Sequence, residues 1–261
     1  MSLLVRGRDG RVEVSPRSAG WEHVGFEALP LAEGEQATRE LDGREVCVVV
    51  LAGRVDVRAG DDSWSAVGGR ESPFDGLPHA VYLPPGEQLV LRGASARAEL
   101  GLCFAPARRG ADARLIGPDG LEPVTRGSGT SERTIHNILM EDAGAESLLV
   151  TEVLTPAGHW SSYPPHKHDR DDPPRETLLE ETYYHRIRPR HGFGLQRVYT
   201  DDRSLDESVA FADGDVVLVP RGYHAVSAPP GYELYYLNVM AGPRREWRIR
   251  NDPEHEWLIE T

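Results

Sequence analysis

The sequence predicts an all-β protein made of two tandem β-barrels, with few and short helices. Its apolar runs are short and separated by turn residues such as Ala52-Gly53, Ala59-Gly60-Asp61-Asp62 and Pro84-Pro85-Gly86, the spacing of a sandwich or barrel. No segment sustains the helical period of about 3.6 residues. The strand rhythm breaks once, over residues 105–134, where Gly, Arg, Ser and Thr replace the apolar pattern, and then restarts in the same order of hairpin, Asp/Gly-rich turn, strand and Pro-containing turn. The expected division is a first barrel over residues 1–120 and a second over 121–261.

In the first half, Trp21, Phe26 and Leu29-Pro30-Leu31 have the spacing of an entry strand. Glu45 to Leu51 is the first strong strand, and the turn at Ala52-Gly53 folds it back onto Arg54 to Arg58 as a hairpin. Ala80 to Leu83, Gln88 to Arg92 and Ala98 to Phe104 follow. In the second half the strands are Leu148 to Leu154, Glu181 to Ile187, Leu195 to Thr200, Asp215 to Pro220 and Glu233 to Val239.

Composition narrows the function. The chain of 261 residues carries a net charge of −13, which argues against nucleic acid and anionic membrane as partners and leaves a small molecule. No apolar run reaches the 18 or so residues of a membrane span, and Met1 to Arg6 is too short and too soon charged for a signal peptide, so a cytoplasmic protein is expected. Cys47 and Cys103 sit in apolar strands and read as buried free thiols. Lys167 is the one lysine among 29 basic residues, so any Schiff-base chemistry would have to use it.

The chemistry gathers between Gly158 and His224. On a strand, residues two apart share a face, so His166 and His168 point inward together and Lys167 points away. The same parity puts Glu181, Tyr183 and His185 on the inner face of the next strand, unless a bulge brings Glu180 in instead. His224 follows Pro220-Arg221-Gly222, where a glycine turn swings the next side chain back into the barrel. A lone His is usually a hydrogen-bonded core residue. Three with one carboxylate form a set for one divalent ion, with N/O donors that suit Zn, Mn, Fe, Co or Ni.

Gly158-(x7)-His166-x-His168 and Gly214-(x5)-Pro220-x-Gly222-x-His224 resemble the two cupin motifs, and the paired barrels resemble a bicupin of two jelly-roll β-barrels. Two departures stand out: twelve residues separate His168 from Glu181, and the spacer before His224 is one residue short. The first barrel has a matching Glu45 to Gly53 stretch but no HxH, and so reads as a metal-free scaffold. With Arg126-Gly127-Ser128-Gly129, Arg133-x-Ile135-His136-Asn137, Ser162 to Asp169, Glu180 to His185 and Pro220 to His224, the chain is similar to the 5-deoxy-glucuronate isomerase family of myo-inositol catabolism, related to the uronate isomerase of pectin breakdown. The resemblance implies an aldose–ketose isomerase interconverting 5-deoxy-D-glucuronate and 5-dehydro-2-deoxy-D-gluconate, with His166, His168, Glu181 and His224 as metal ligands. It also turns the segment 169–180 from a defect into a family mark and a candidate lid.

Such a reaction needs a base near the moving proton. His185 and Tyr183 are the inward candidates, with His185 equally suited to orienting a ligand, and Tyr236 is a further candidate at the substrate. The substrate carboxylate calls for an arginine, and Arg133, Arg186, Arg190 and Arg197 compete for it. Gln196 and Arg197 have opposite parity, so only one can face in. Trp247 and Trp257 read as packing or interface residues, and with an exposed barrel edge they would suit a homodimer. Two other readings of the same ligand set are an Fe(II) cupin dioxygenase and a non-enzymatic sugar-acid-binding cupin.

Overall fold

The structure is a computed structural model that describes residues 2–259. Its strands form four antiparallel sheets, with helix confined to Pro16–Ala19 and three single 3-10 turns among the described residues. The first half supplies a six-stranded sheet, in which Arg44–Ala52 lies between His79–Leu83 and Arg97–Pro106, and a four-stranded sheet built on Arg54–Ala59 and Gln88–Gly93. The second half supplies a seven-stranded and a five-stranded sheet. In the seven-stranded sheet the order runs Leu4–Val5, Val216–Val219, Glu180–Arg188, Glu233–Ala241, Leu149–Thr155, Arg133–Leu139, Val124–Arg126. Leu4 and Val5, near the start of the chain, thus pair with Val217 and Val216 in the second half.

Each half closes two sheets over an apolar interior. Val46, Val48 and Val50 face inward with Val55, Val57, Leu89 and Leu91, whereas Cys47, Val49 and Leu51 on the opposite face belong to a different cluster. That cluster also holds Tyr184, Val216, Tyr235, Leu237 and Val239, so the six- and seven-stranded sheets pack back to back. A strand buried on both faces loses its polar–apolar alternation, which is why Val46 to Leu51 reads as one unbroken apolar run. Cys47 and Cys103 are free, buried and opposite one another across neighbouring strands of this contact.

Carboxylates, of which Glu45 and Glu152 are buried and Glu180 half-buried, latch the halves together. Glu45 accepts from the backbone amides of Glu146, Ser147 and Leu148, and Glu180 from those of Glu22, His23 and Val24. Arg70 of the first half forks onto Glu152 of the second with two contacts of 2.9 Å, and the same carboxylate takes Tyr235 Oη and His136 Nδ1 at 2.8 Å each. No described helix is long and apolar enough to cross a membrane.

Candidate functional site

His166 lies on Trp160–Lys167 and His224 on Tyr223–Ser227, directly opposite each other in the antiparallel pairing of these strands; His168 follows one residue beyond the first strand. Ligand atoms of the three imidazoles lie within 4.8 Å of one another, and they form the one cluster of three or more metal-ligating side chains found among the described residues. Glu181 joins them from the neighbouring sheet, its Oε2 3.1 Å from His168 Nε2 and 3.2 Å from His224 Nε2. The pairing of Glu180–Arg188 with Glu233–Ala241 runs without a bulge, so parity sends Glu181 inward and Glu180 outward to the amides of residues 22–24.

The second nitrogen of two rings sets the electrostatics. His168 Nδ1 and His224 Nδ1 each lie 3.1 Å from a backbone carbonyl, of Leu179 and Gly222, which holds a proton on Nδ1, so that in the uncharged ring the lone pair is on Nε2. Those lone pairs face a carboxylate. His224 Nε2 is buried without a hydrogen-bond partner even though Glu181 is within reach. Acceptors converging with no donor between them are the donor set of a cation site. Burial pushes the Glu181 carboxyl up, but the His168 and His224 rings beside it outweigh that and hold the pKa down to about 2. Burial, then the neighbouring His224 and His168 rings, holds His166 well below the usual imidazole range.

Local sequence explains this geometry. Gly222 has φ +91°, and a Cβ there would meet Tyr199 O at 2.4 Å, so the turn that delivers His224 requires glycine. Lys167, opposite in parity to the histidines, is buried outside the site, with Nζ 2.7 Å from Asp201 and 3.2 Å from Asp169. Asp169 also accepts from Gly222 N at 2.8 Å, tying the two histidine-bearing strands together. The segment 169–180 does not line the cavity beside the imidazoles, and its end is held by Leu179, whose N–H donates to His168 O and whose carbonyl orients the His168 ring.

The cavity is floored by the inner face of the seven-stranded sheet, whose register arranges side chains in rows across the strands. Glu181 and Met240 are paired nearest the imidazoles. The next row is Asn137, Thr151, Asn238 and Tyr183, and the one beyond it Val124, Ile135, Val153 and Tyr236. Arg126 and Arg133 form the far edge. Arg133 donates to Ser131 O at 3.0 Å and makes no ion pair among the described residues; burial lowers its pKa. Tyr183 Oη lies 2.9 Å from Ser162 Oγ, which is 3.5 Å from Tyr236 Oη; Tyr236 Oη is in turn 2.5 Å from Ser161 Oγ.

Of the residues expected at the site, His166, Glu181, Tyr183, Tyr236 and Arg133 line this cavity, and His168 and His224 complete the cluster. Four expectations are corrected. His185 points inward but lies deeper, stacked on Phe211 at 3.6 Å between centroids and bonded to Gln196, and burial holds its pKa down to about 3. Arg186 faces the other way, between Glu99 and Asp213 at the contact between halves. Arg197 is turned to solvent and paired with Asp206 at 2.8 Å, and Gln196 faces in. Arg190 is likewise paired with Asp213, at 2.9 Å. Sequence reasoning missed Arg126, Asn137, Thr151, Ser162 and Asn238, and assigned Trp247, which lines the cavity with Arg126 over its ring, to packing or an interface. Parity carried on from Arg133 and Tyr236 would have found Asn137 and Asn238.

Comparison with known proteins agrees with this architecture. The chain is 53% identical over 251 residues to the 5-deoxy-glucuronate isomerase of Geobacillus thermodenitrificans, covering 96% of this chain and 91% of that one. An IolB-like protein from Salmonella typhimurium has a solved structure with a TM-score of 0.96 and 46% identity, covering 99% of this chain and 100% of that one. The oxalate decarboxylase of Lactobacillus farciminis, solved as a formate complex, shares the fold with a TM-score of 0.64 at 14% identity, over 98% of this chain and 88% of that one. The KduI/IolB family model matches residues 3–258, and with relatives of this identity over nearly the full length the chain belongs to the KduI/IolB family.

Proposed function

We propose that this chain is a metal-dependent aldose–ketose isomerase converting 5-deoxy-D-glucuronate to 5-dehydro-2-deoxy-D-gluconate, with residues 121–261 carrying the site and residues 1–120 serving as its scaffold. The observation that carries the reading is the His224 Nε2 atom, buried without a hydrogen-bond partner beside Glu181 and two more imidazoles, at the opposite end of a cavity from an arginine with no acidic partner among the described residues. Relatives at this identity carry the isomerase name. His166, His168, Glu181 and His224 would hold one divalent ion of the Zn, Mn, Fe, Co or Ni type. When bound, such an ion supplies Lewis acidity that stabilises the oxygens of an enediolate.

The remaining work falls to the chain. In the isomerisation a proton leaves C2 and one arrives on C1, while the C2 hydroxyl becomes a carbonyl and the C1 aldehyde a hydroxymethyl; nothing is gained or lost. Arg133 pairs with the C6 carboxylate and fixes the substrate's direction, and its low-dielectric surroundings strengthen that pairing. Burial, then the nearby Glu181 charge, pushes the Tyr183 phenol well above its ordinary range, and burial raises Tyr236. Both are protonated at neutral pH and act as donors to substrate oxygens, linked to each other through Ser162. This reverses the role of base that sequence parity offered Tyr183. Tyr183→Phe is expected to lower kcat by about 10²-fold with little change in KM, the usual size of an acid–base contribution. Retained kcat would remove Tyr183 from the chemistry.

The direct test is proton NMR of the aldehyde-derived signals of 5-deoxy-glucuronate incubated with purified protein. Isomerisation is expected, under anaerobic conditions as well as in air, and its loss on chelation. No conversion with any of the five metals supplied would sink the reading, and oxygen consumption would favour a dioxygenase.

A further inference from the structure

The proposed substrate is uneven along its length: an aldehyde at C1, hydroxyls on C2 to C4, a bare methylene at C5 and a carboxylate at C6. The floor of the cavity is uneven in the same order. Beyond the Glu181–Met240 pair at the imidazoles, the next row across the sheet presents the hydrogen-bonding groups of Asn137, Thr151, Asn238 and Tyr183, and the one after it the alkyl groups of Ile135 and Val153, with Arg133 beyond. Neighbouring rows are two residues apart, about 7 Å along a strand, a step that a six-carbon chain can bridge. Val153 is buried and Ile135 partly buried, so a hydroxyl held against either would lose its water; the only polar group of that row lining the cavity is the Tyr236 phenol, which is already engaged with Ser161 and Ser162, while His185 lies deeper against Phe211.

We propose that Ile135 and Val153 are specificity-determining residues that form the seat of the C5 methylene and select a 5-deoxy uronate over its 5-hydroxy counterpart. The proposal rests on the isomerase reading and adds to it the direction of the substrate: reacting carbons at the imidazoles, C3 and C4 hydroxyls over the amide row, C5 over the aliphatic row. It assigns the two aliphatic residues a task in addition to barrel packing, in which both also take part.

The test compares kcat/KM for 5-deoxy-glucuronate and for glucuronate in the wild-type protein and in Val153→Thr and Ile135→Thr, all loaded with the same metal. The two sugars differ in open-chain fraction, but that difference cancels when each variant's ratio is divided by the wild-type ratio. Each variant is expected to shift the ratio towards glucuronate by about 10-fold, part of the roughly 10²-fold by which an apolar pocket rejects an added hydroxyl. If glucuronate is not turned over, its inhibition constant replaces kcat/KM in the same ratio. An unchanged ratio in a folded variant overturns the assignment of that residue, and unchanged ratios in both overturn the proposal. The substitutions lie on different strands, so misfolding of one leaves the other to decide. A wild-type protein that does not convert 5-deoxy-glucuronate would instead bring down the isomerase reading itself.

Discussion

Replacing His166 and His168 together by alanine is expected to abolish bound metal and to lower kcat/KM by more than about 10²-fold, since loss of even an outer partner of a ligand costs 10–100-fold. The fold should survive. The His166 ring lines the cavity and the His168 ring lies between Leu179 O and Glu181, neither of them in the apolar interior formed by Val198, Phe211, Val226 and their neighbours, so circular dichroism and the thermal midpoint of the metal-free protein should change little. The variant also leaves Glu181 and His224 in place, so any residual metal binding would be weak and displaced by chelator. Full turnover by the double variant would mean that the imidazole cluster is not the seat of the reaction.

The second large effect concerns stability. Glu152 is fully buried between the halves and receives Arg70, His136 and Tyr235, so Glu152→Ala leaves the Arg70 guanidinium buried without a countercharge. A loss of about 3–5 kcal/mol is expected, measured as the shift in the urea midpoint. Arg70→Met combined with Glu152→Leu should recover much of it, because no charge is then stranded. The pH dependence has a defined sign. Burial pushes the Glu152 carboxyl up, but the Arg70 charge and the hydrogen bonds from His136 and Arg70 outweigh it, leaving the folded pKa below the ordinary value. Its contribution to stability is therefore complete above the unfolded glutamate value of about 4.3 and is lost as pH falls through the lower folded value. The Glu152→Ala protein should show a shallower acid limb than wild type. A midpoint within about 1 kcal/mol of wild type would show that Arg70 finds another partner.

What the sequence disclosed was what local spacing controls. HxH places two rings on one face, Gly222 with its positive φ turns His224 inward, and an unbulged strand lets parity choose Glu181 over Glu180. Parity says which face a side chain occupies and nothing about its depth. His185 shares the face of Glu181 yet stacks on Phe211 beyond the cavity, where burial keeps it uncharged. Arginines were less legible still, since what distinguishes Arg186 from Arg133 is an acid brought in from afar: Arg186 meets Glu99, which is 87 residues away in the chain, and Arg133 meets none among the described residues. Trp247 escaped for the same reason, its place beside Arg126 being set by a long-range approach of the tail to the strand Val124–Arg126. The twelve-residue gap before Glu181 was visible, but its purpose was not: it returns the chain so that Leu179 can orient His168.

The central claim, that one divalent ion held by His166, His168, Glu181 and His224 is required for isomerisation, is tested most directly by reconstitution. Protein stripped with chelator is titrated with each candidate metal, and bound metal and the rate of aldehyde loss are followed together. Turnover should be absent at the start and rise in proportion to bound metal, reaching its plateau at one ion per chain, and Glu181→Ala protein should neither retain the ion nor recover. Undiminished turnover by fully stripped protein would contradict the account.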